Sequence, residues 1–166
     1  MPPVEIRVAS ALDAAAVADV LMDAAQWLAD SGMSMWQMDE LNATAIAADV
    51  EQGAFFLAWV AGEAAGTVRF QLEDPLFWPD APSSDAAYVH RLAVRRRFAG
   101  SGVSTALLTW AADHARANGR RVLRLDCAAS RVKLRALYER FGFRYHSDRE
   151  VGPYVVARYE YFLFAP

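Results

Sequence analysis

One junction limits the folds open to this chain: a strand-like run passes through a glycine turn directly into an amphipathic helix. The run "AAYVHRLAV" ends at Val94, three arginines follow, and the turn "GSG" occupies residues 100–102. From Val103 onward, apolar residues recur at helical spacing until Asn118 and Gly119 end the pattern. A strand that leads straight into a helix favours an α/β fold.

Strand and helix patterns also alternate through the rest of the chain. "VEIRVAS" alternates like a strand, and Ser10 with Asp13 forms a capping pair for a helix whose apolar stripe begins at Leu12. A second helix, a hairpin turning at "AGEA", the strand "RRVLRLDCA", a short helix and two C-terminal strands complete the pattern. The predicted order is β-α-α-β-β-β-α-β-α-β-β, an α/β domain with a mixed sheet.

Length and charge limit the class of protein and its partners. A chain of 166 residues, 55% hydrophobic, predicts one globular domain over residues 1–166. A net charge of −3 argues against nucleic acid or an anionic membrane and leaves a small molecule or a protein as the expected partner. With a single cysteine, Cys127, and neither a leader pattern nor a membrane-length apolar run, we expect a soluble protein of the reducing cytoplasm.

The glycine turn has the composition of an anion site. Gly100 and Gly102 lack Cβ atoms, so an anion can approach the main chain, and the helix after them supplies free N–H groups and a positive dipole end. This arrangement suits a phosphate, although a simple tight turn explains the glycines equally well. A P-loop lysine and the third glycine of a dinucleotide fingerprint are both missing from "GSGVST".

The element order, this turn and the downstream run "LRALYERFGF" together resemble the GNAT family of N-acetyltransferases. The family pattern, Gln/Arg-x-x-Gly-x-Gly/Ala, matches residues 97–102 literally, whereas the distance from the strand end instead aligns Ala99, Gly102 and Ser104 with its three signature positions. The resemblance implies a mixed, mostly antiparallel sheet of six to seven strands flanked by four helices, with acetyl-coenzyme A as co-substrate. Applied to this chain, it implies that the cofactor is held by Leu92, Ala93, Val94, Ala99, Gly100, Ser101, Gly102, Val103, Ser104 and Arg131.

The resemblance also implies a proton donor for the departing thiolate. In "SRVKLRALYERFGF" the position of the family's tyrosine is occupied by Tyr138, a phenol that can donate a proton and regain it from solvent. The other interpretation is that Tyr138 is simply a core aromatic of an amphipathic helix. Arg131 stands where relatives often have an asparagine that contacts pantetheine.

Two residues are candidates for the general base. Asp126 aligns with a catalytic glutamate of ribosomal-protein acetyltransferases of the family. His90 has an intrinsic pKa near neutrality and lies two residues from Tyr88, the position of the glutamate in histone acetyltransferases. Asp126 is alternatively an ion-pair partner of Arg124 or of a neighbour, and His90 a partly buried structural histidine; Glu73 ranks third as base.

Two segments of the chain correspond to the walls of the family's acceptor cleft. In the family, the segments here reading "SGMSMWQMDELN" and "DPLFWPDAPSSD" wall the acceptor cleft, and they offer Trp36 and Trp78 as contacts for a small-molecule or peptide amine. The acids of these segments are possible amine partners: Asp39, Glu40, Asp74 and Asp80. The aromatic residues can equally seal the core.

These inferences predict direct acetyl transfer from acetyl-coenzyme A to an amine in a ternary complex, without a metal. A non-catalytic acyl-coenzyme A sensor and an aminoacyl-tRNA-acetylating toxin of the same fold are the alternatives. One arginine of residues 95–97 is a candidate for the ribose 3′-phosphate, although such a run is usually a solvated face. A homodimer is possible, with "YVVARYEYFLF" pairing at a sheet edge.

Overall fold

A computed structural model describes residues 2–33, 36–82 and 84–164. The strands are β1 (Val4–Val8), β2 (Phe55–Val60), β3 (Glu63–Gln71), β4 (Ala86–Val94), β5 (Val122–Ala128), β6 (Arg144–Val151) and β7 (Tyr154–Phe162). The helices are α1 (Ala14–Asp30), α2 (Ala43–Glu51), α3 (Val103–Ala117) and α4 (Val132–Phe141). The predicted order of elements is therefore confirmed, and the seven strands are arranged β1-β2-β3-β4-β5-β7-β6 in a mixed, mostly antiparallel sheet.

Two details of the N-terminal prediction have different outcomes. The main-chain N–H of Ser10 donates to the Asp13 carboxylate at 2.9 Å, which confirms the capping pair. Leu12, however, is 94% exposed, so its assignment to the apolar stripe is wrong. It lies in a short 3-10 turn, Ala11–Asp13, and the regular helix begins only at Ala14, so the helical spacing does not extend back to it.

The chain folds as two compact units, residues 1–70 with 91–110 and residues 71–90 with 111–166. The core of the first unit is formed by α1, α2 and the first strands, with Val17, Leu21, Leu41, Phe55 and Leu57 among its fully buried side chains. The β2–β3 hairpin of this unit turns at Ala61 and Gly62, both with positive φ (49° and 81°). Positive φ at both central residues is typical of the two-residue turns that match the strand twist.

The second unit has a core of Trp78, Ala86, Tyr88 and Val122. Within it, β4 pairs with β5 in parallel, and β7 pairs antiparallel with β5 on one side and with β6 on the other. Because both edges of β7 are already paired, the expectation that "YVVARYEYFLF" offers a free edge for a homodimer is wrong. The predicted irregular segment between β3 and β4 contains neither helix nor strand among its described residues.

Candidate active site

The glycine turn lies in the first unit, immediately before α3. Gly100 and Gly102 have φ values of 75° and 87°, a left-handed conformation that favours glycine. A Cβ added to either residue would meet no described atom within 4 Å, so the backbone conformation, not crowding, requires glycine here. The first α-helical bond after the turn runs from the Ala106 N–H to the Gly102 carbonyl at 3.0 Å, which leaves the N–H groups of Val103 to Thr105 outside the helical pattern.

A third glycine, which the sequence analysis did not single out, positions this helix. A Cβ on Gly66 of β3 would lie 2.9 Å from Val103 Cγ1, 3.0 Å from the Ala93 carbonyl oxygen and 3.0 Å from Leu107 Cδ1. Only a residue without a Cβ allows the N-terminal turn of α3 to pack this closely on β3. An isolated glycine inside a strand pattern was the available signal.

The remaining predicted cofactor residues lie along the same stretch. Leu92, Ala93 and Val94 end β4, and Ala99, Ser101 and Ser104 surround the glycines. The Ser101 hydroxyl is in contact with the Phe98 carbonyl oxygen. Arg131 lies in the second unit as the residue preceding α4.

The three arginines before the turn are engaged inside the first unit. Arg95 Nε donates to the Ala64 carbonyl at 2.7 Å, and the Arg96 guanidinium lies 4.3 Å from the centre of the Trp27 ring. Arg97 is paired with Glu63 and remains largely exposed. These contacts give each arginine a role in the fold, independent of any phosphate.

In the second unit, the two candidate bases lie side by side, and a third residue, Asp74, bonds to the far nitrogen of His90. His90 Nε2 is 2.7 Å from Asp74 Oδ2, and His90 Nδ1 is 3.7 Å from Asp126 Oδ2. The three side chains are only 15%, 4% and 9% exposed for His90, Asp74 and Asp126. The parallel register places Tyr88 opposite Arg124, and His90 and Asp126 follow two residues further along these strands, on the same face.

The two carboxyl groups of this cluster have opposite pKa shifts. Burial raises the pKa of Asp126 to about 6, which the positive charge on His90 only partly opposes, and the negative charge of Asp74 adds to the rise. Burial also acts to raise the pKa of Asp74, but the hydrogen bond and charge of His90 outweigh it, and the pKa lies below the ordinary 3.8. Asp74 is therefore an ionised acceptor for His90 Nε2, whereas Asp126 titrates close to neutrality.

The Asp126 carboxylate has His90 as its neighbour but, within the described part of the chain, lacks a hydrogen bond on one oxygen. Its Oδ2 atom is buried and has no hydrogen-bond partner among the described residues. The alternative expected for Asp126 was an ion pair with Arg124 or a neighbour; the pair with Arg124 is wrong, whereas the neighbouring His90 lies 3.7 Å away. Arg124 pairs at 3.0 Å with Glu160, which lies directly opposite it on β7.

The same cluster offers one ligand atom per residue within 4.8 Å, a spacing that a metal ion would tolerate. A metal requires its donors to converge on one point. Here each carboxylate faces a different nitrogen of His90, with a hydrogen bond of 2.7 Å on the Asp74 side and a gap of 3.7 Å on the Asp126 side.

Buried arginines hold the segment that carries Asp74. Arg158, 3% exposed, donates to the Phe77 carbonyl at 3.1 Å and to Asp80 at 2.7 Å, and Arg124 donates to the Pro82 carbonyl at 2.7 Å. Both guanidinium groups lie over the Trp78 ring, at 4.7 and 4.8 Å from its centre. The hydrogen bond from Arg158 holds the pKa of Asp80 well below its usual range.

Two of the predicted site residues, Trp78 and Tyr138, are almost fully buried. Trp78 is 2% exposed between these arginines, which supports the interpretation that it seals the core and not that it contacts an acceptor. Tyr138 is 4% exposed, with its ring 5.8 Å from Phe143 and 6.2 Å from Tyr159, and burial raises its pKa well above the usual range. Trp36 belongs to the first unit and is partly buried against its core.

The element order, the glycine turn that leads into α3 and the seven-stranded mixed sheet agree with the fold that the resemblance to N-acetyltransferases implied. Residues 21–143 match the model of the acetyltransferase (GNAT) family. The chain belongs to this family, whose co-substrate is acetyl-coenzyme A.

Individual relatives agree with this assignment. The chain is 31% identical over 139 residues to the uncharacterized N-acetyltransferase YesJ of Bacillus subtilis, covering 80% of this chain and 77% of that protein. A GNAT-family acetyltransferase from Listeria monocytogenes superposes with a TM-score of 0.79 at 26% identity, over 96% of this chain and 94% of that one. The PaiA N-acetyltransferase of Thermoplasma acidophilum, solved with coenzyme A, shares the fold at a TM-score of 0.77 and 16% identity, over 96% and 99% of the two chains.

None of the described helices has the length and apolar character needed to cross a membrane.

Proposed function

We propose that this chain works as one N-acetyltransferase domain that moves the acetyl group of acetyl-coenzyme A directly to the amine of a small molecule or peptide. The observation that carries the proposal is the buried cluster of Asp74, His90 and Asp126, because amine acylation needs a group that accepts a proton near neutral pH. Membership of the GNAT family supplies the co-substrate.

The cofactor would be bound mainly by the main chain. The N–H groups of Gly100 and of Gly102 to Ser104 would take the pyrophosphate, as the positive φ values and the free N–H groups of α3 allow, whereas the Ser101 N–H already donates to the Phe98 carbonyl at 3.2 Å. The end of β4, Leu92 to Val94, would hold pantetheine and direct an N–H to the thioester oxygen. A donor aimed at the developing oxyanion typically contributes ~10²–10³ in rate.

The base is assigned to His90 and Asp126 acting together. The amine nitrogen attacks the thioester carbon, its proton passes to this pair, and the carbon–sulfur bond then breaks. Asp74 would be a positioning residue: by accepting from Nε2–H, it directs the lone pair of Nδ1 toward Asp126.

Tyr138 is assigned as the proton donor to the departing thiolate. Its raised pKa keeps the phenol protonated at every working pH, as a donor requires. Tyr138→Phe is expected to leave acetyl-coenzyme A binding within about twofold and to slow transfer by ~10²–10⁴. Turnover equal to that of the wild type would remove Tyr138 from the mechanism.

The first experiment is calorimetric titration with acetyl-coenzyme A, with 3′-dephospho-coenzyme A and adenosine diphosphate as controls, followed by a thiol-release assay over a panel of amines. Micromolar binding together with amine-dependent thiol release supports the enzyme. Binding without release on any amine supports the sensor alternative instead, and absence of binding at millimolar ligand contradicts both.

A further inference from the structure

Two arginines of the first unit lie close together beside its helical layer. Arg69 is on β3, and Arg91 is on β4, directly after His90 in the sequence. They are near enough for the positive charge of Arg69 to act on Arg91. Burial is the larger effect, and the pKa of Arg91 lies below its ordinary value.

Both guanidinium groups keep donors that the protein does not use. Nη1 of Arg91 and Nε of Arg69 are buried and have no hydrogen-bond partner within residues 2–33, 36–82 and 84–164. Buried donors of charged groups are nearly always satisfied in folded proteins, so two such donors in one place indicate a bound group. The group must be an acceptor of hydrogen bonds.

The acids that accompany these arginines hold them only loosely. Glu40 approaches Arg91 at 3.5 Å and is itself 51% exposed, and Asp49 approaches Arg69 at 3.3 Å and is 34% exposed. Charge-assisted pairs with full geometry are shorter, about 2.7–2.9 Å. Both contacts are made by Nη2, so neither uses Nη1 of Arg91 or Nε of Arg69.

The backbone of Arg91 supports a functional placement. Its φ is 54°, a left-handed conformation inside a strand that a non-glycine residue rarely adopts. Such conformations persist where the surrounding structure enforces them, and they concentrate at binding and active sites. Here the guanidinium lies over Trp36, 5.2 Å from the ring centre, so the ring forms an apolar wall beside the donors.

We propose that Arg91 and Arg69 bind a carboxylate of the acceptor, with Trp36 packing against the rest of the molecule. This inference rests on the proposed function, and it narrows the acceptor to amines that also carry a carboxylate, such as amino acids, ω-amino acids or short peptides with a free C-terminus. A planar carboxylate matches the fork of a guanidinium, and two forks discriminate strongly against a neutral carboxamide of the same shape.

The test compares acids with their carboxamides. Amino acids, ω-amino acids and dipeptides are each assayed against the matching amide by thiol release, with rates expressed per unprotonated amine. In the wild type, at least one series should show kcat/KM about 10- to 100-fold higher for the acid, mostly through KM. Arg91→Met and Arg69→Met should each remove most of this preference, so that kcat/KM for the acid falls toward that for its carboxamide in the same variant.

The matched control is Arg7→Met. Arg7 is an exposed arginine of the same unit whose guanidinium lies over Trp59, and its loss should leave the preference intact. Circular dichroism and urea unfolding check that each variant folds.

A second measurement separates this inference from the proposed function. Calorimetry is used to follow binding of the N-acetylated acid and of its carboxamide to the wild type and to Arg91→Met. Tighter binding of the acid, lost in Arg91→Met, supports the carboxylate site even if no amine is turned over, a result that would contradict only the proposed function. Equal rates and equal binding for acid and amide in the wild type, or a preference that survives both arginine variants, would overturn the inference.

Discussion

Replacement of Asp126 by asparagine is expected to stabilise the protein at neutral pH while it slows acetyl transfer. Burial raises the pKa of Asp126 from 3.8 to about 6, so the folded state holds a proton that the unfolded chain has already lost. Stability linked to this group is complete below pH 3.8, is lost as pH rises through 6, and stays lost above it. The asparagine carries no charge at any pH and therefore resembles the protonated acid.

The size of the effect follows from the pKa difference. A rise of about 2.2, at about 1.4 kcal/mol for each pKa unit, gives about 3 kcal/mol of stability lost through ionisation of Asp126. The carboxyl group is 9% exposed, so solvent reduces this value little. Asp126→Asn should gain up to about 3 kcal/mol over the wild type at pH 7.5 and differ from it by less than about 0.5 kcal/mol at pH 4.

Urea unfolding followed by circular dichroism at pH 4, 5, 6 and 7.5 measures the difference directly. Asp19→Asn, a change at an exposed position of α1, serves as the matched control and should show no such dependence on pH. A gain that is the same at every pH, or a variant less stable than the wild type at pH 7.5, would show that Asp126 is not a costly buried carboxylate. The base assignment would then lose its electrostatic support.

Three further changes test the site and the turn. In the wild type, kcat/KM should rise with pH through about 6, as Asp126 loses its proton. Asp74→Asn should move this rise to lower pH, because the negative charge of Asp74 raises the pKa of Asp126, and it should lower the plateau by about tenfold. A rise at the same pH in both proteins removes Asp74 from the cluster. Gly102→Glu should abolish acetyl-coenzyme A binding in calorimetry through its charge and its strained φ of 87°, and retained binding would place the phosphates elsewhere. Gly66→Ala should cost about 1–3 kcal/mol in urea unfolding because its Cβ would lie 2.9 Å from Val103, and an unchanged midpoint would mean that α3 can shift without cost.

Periodicity predicted the order of elements because each strand and helix buries one face, and burial imposes a spacing on apolar residues. Leu12 is the exception, since it lies in the 3-10 turn before the regular helix, where the helical spacing of buried residues does not apply. Which strands pair with each other could not be predicted from periodicity. The interior place of β7 depends on which strands lie beside it, and nothing in its own residues distinguishes an edge strand from a central one.

Within the site, His90 and Asp126 were predicted from their positions on strands, but the hydrogen bond between His90 and Asp74 was not. Asp74 lies in a segment without periodicity, and its approach to His90 depends on the anchoring of that segment. Trp78 shows the same limit. The sequence alone allows a place in the acceptor cleft for a tryptophan between prolines. In the structure, Arg124 and Arg158, which are distant in the sequence, lie over its ring.

The contacts of Arg124 and Arg158 limit the changes in length that the segment around Trp78 tolerates. Irregular segments usually absorb insertions, deletions and proteolytic cuts more readily than strands do. Arg124 of β5 and Arg158 of β7 donate to the main-chain carbonyls of Pro82 and Phe77, and both guanidinium groups lie over Trp78. These contacts fix the length of the segment from Asp74 to Pro82. Loop grafting to change specificity should therefore avoid this segment, since one added residue would displace the carboxylate that orients His90.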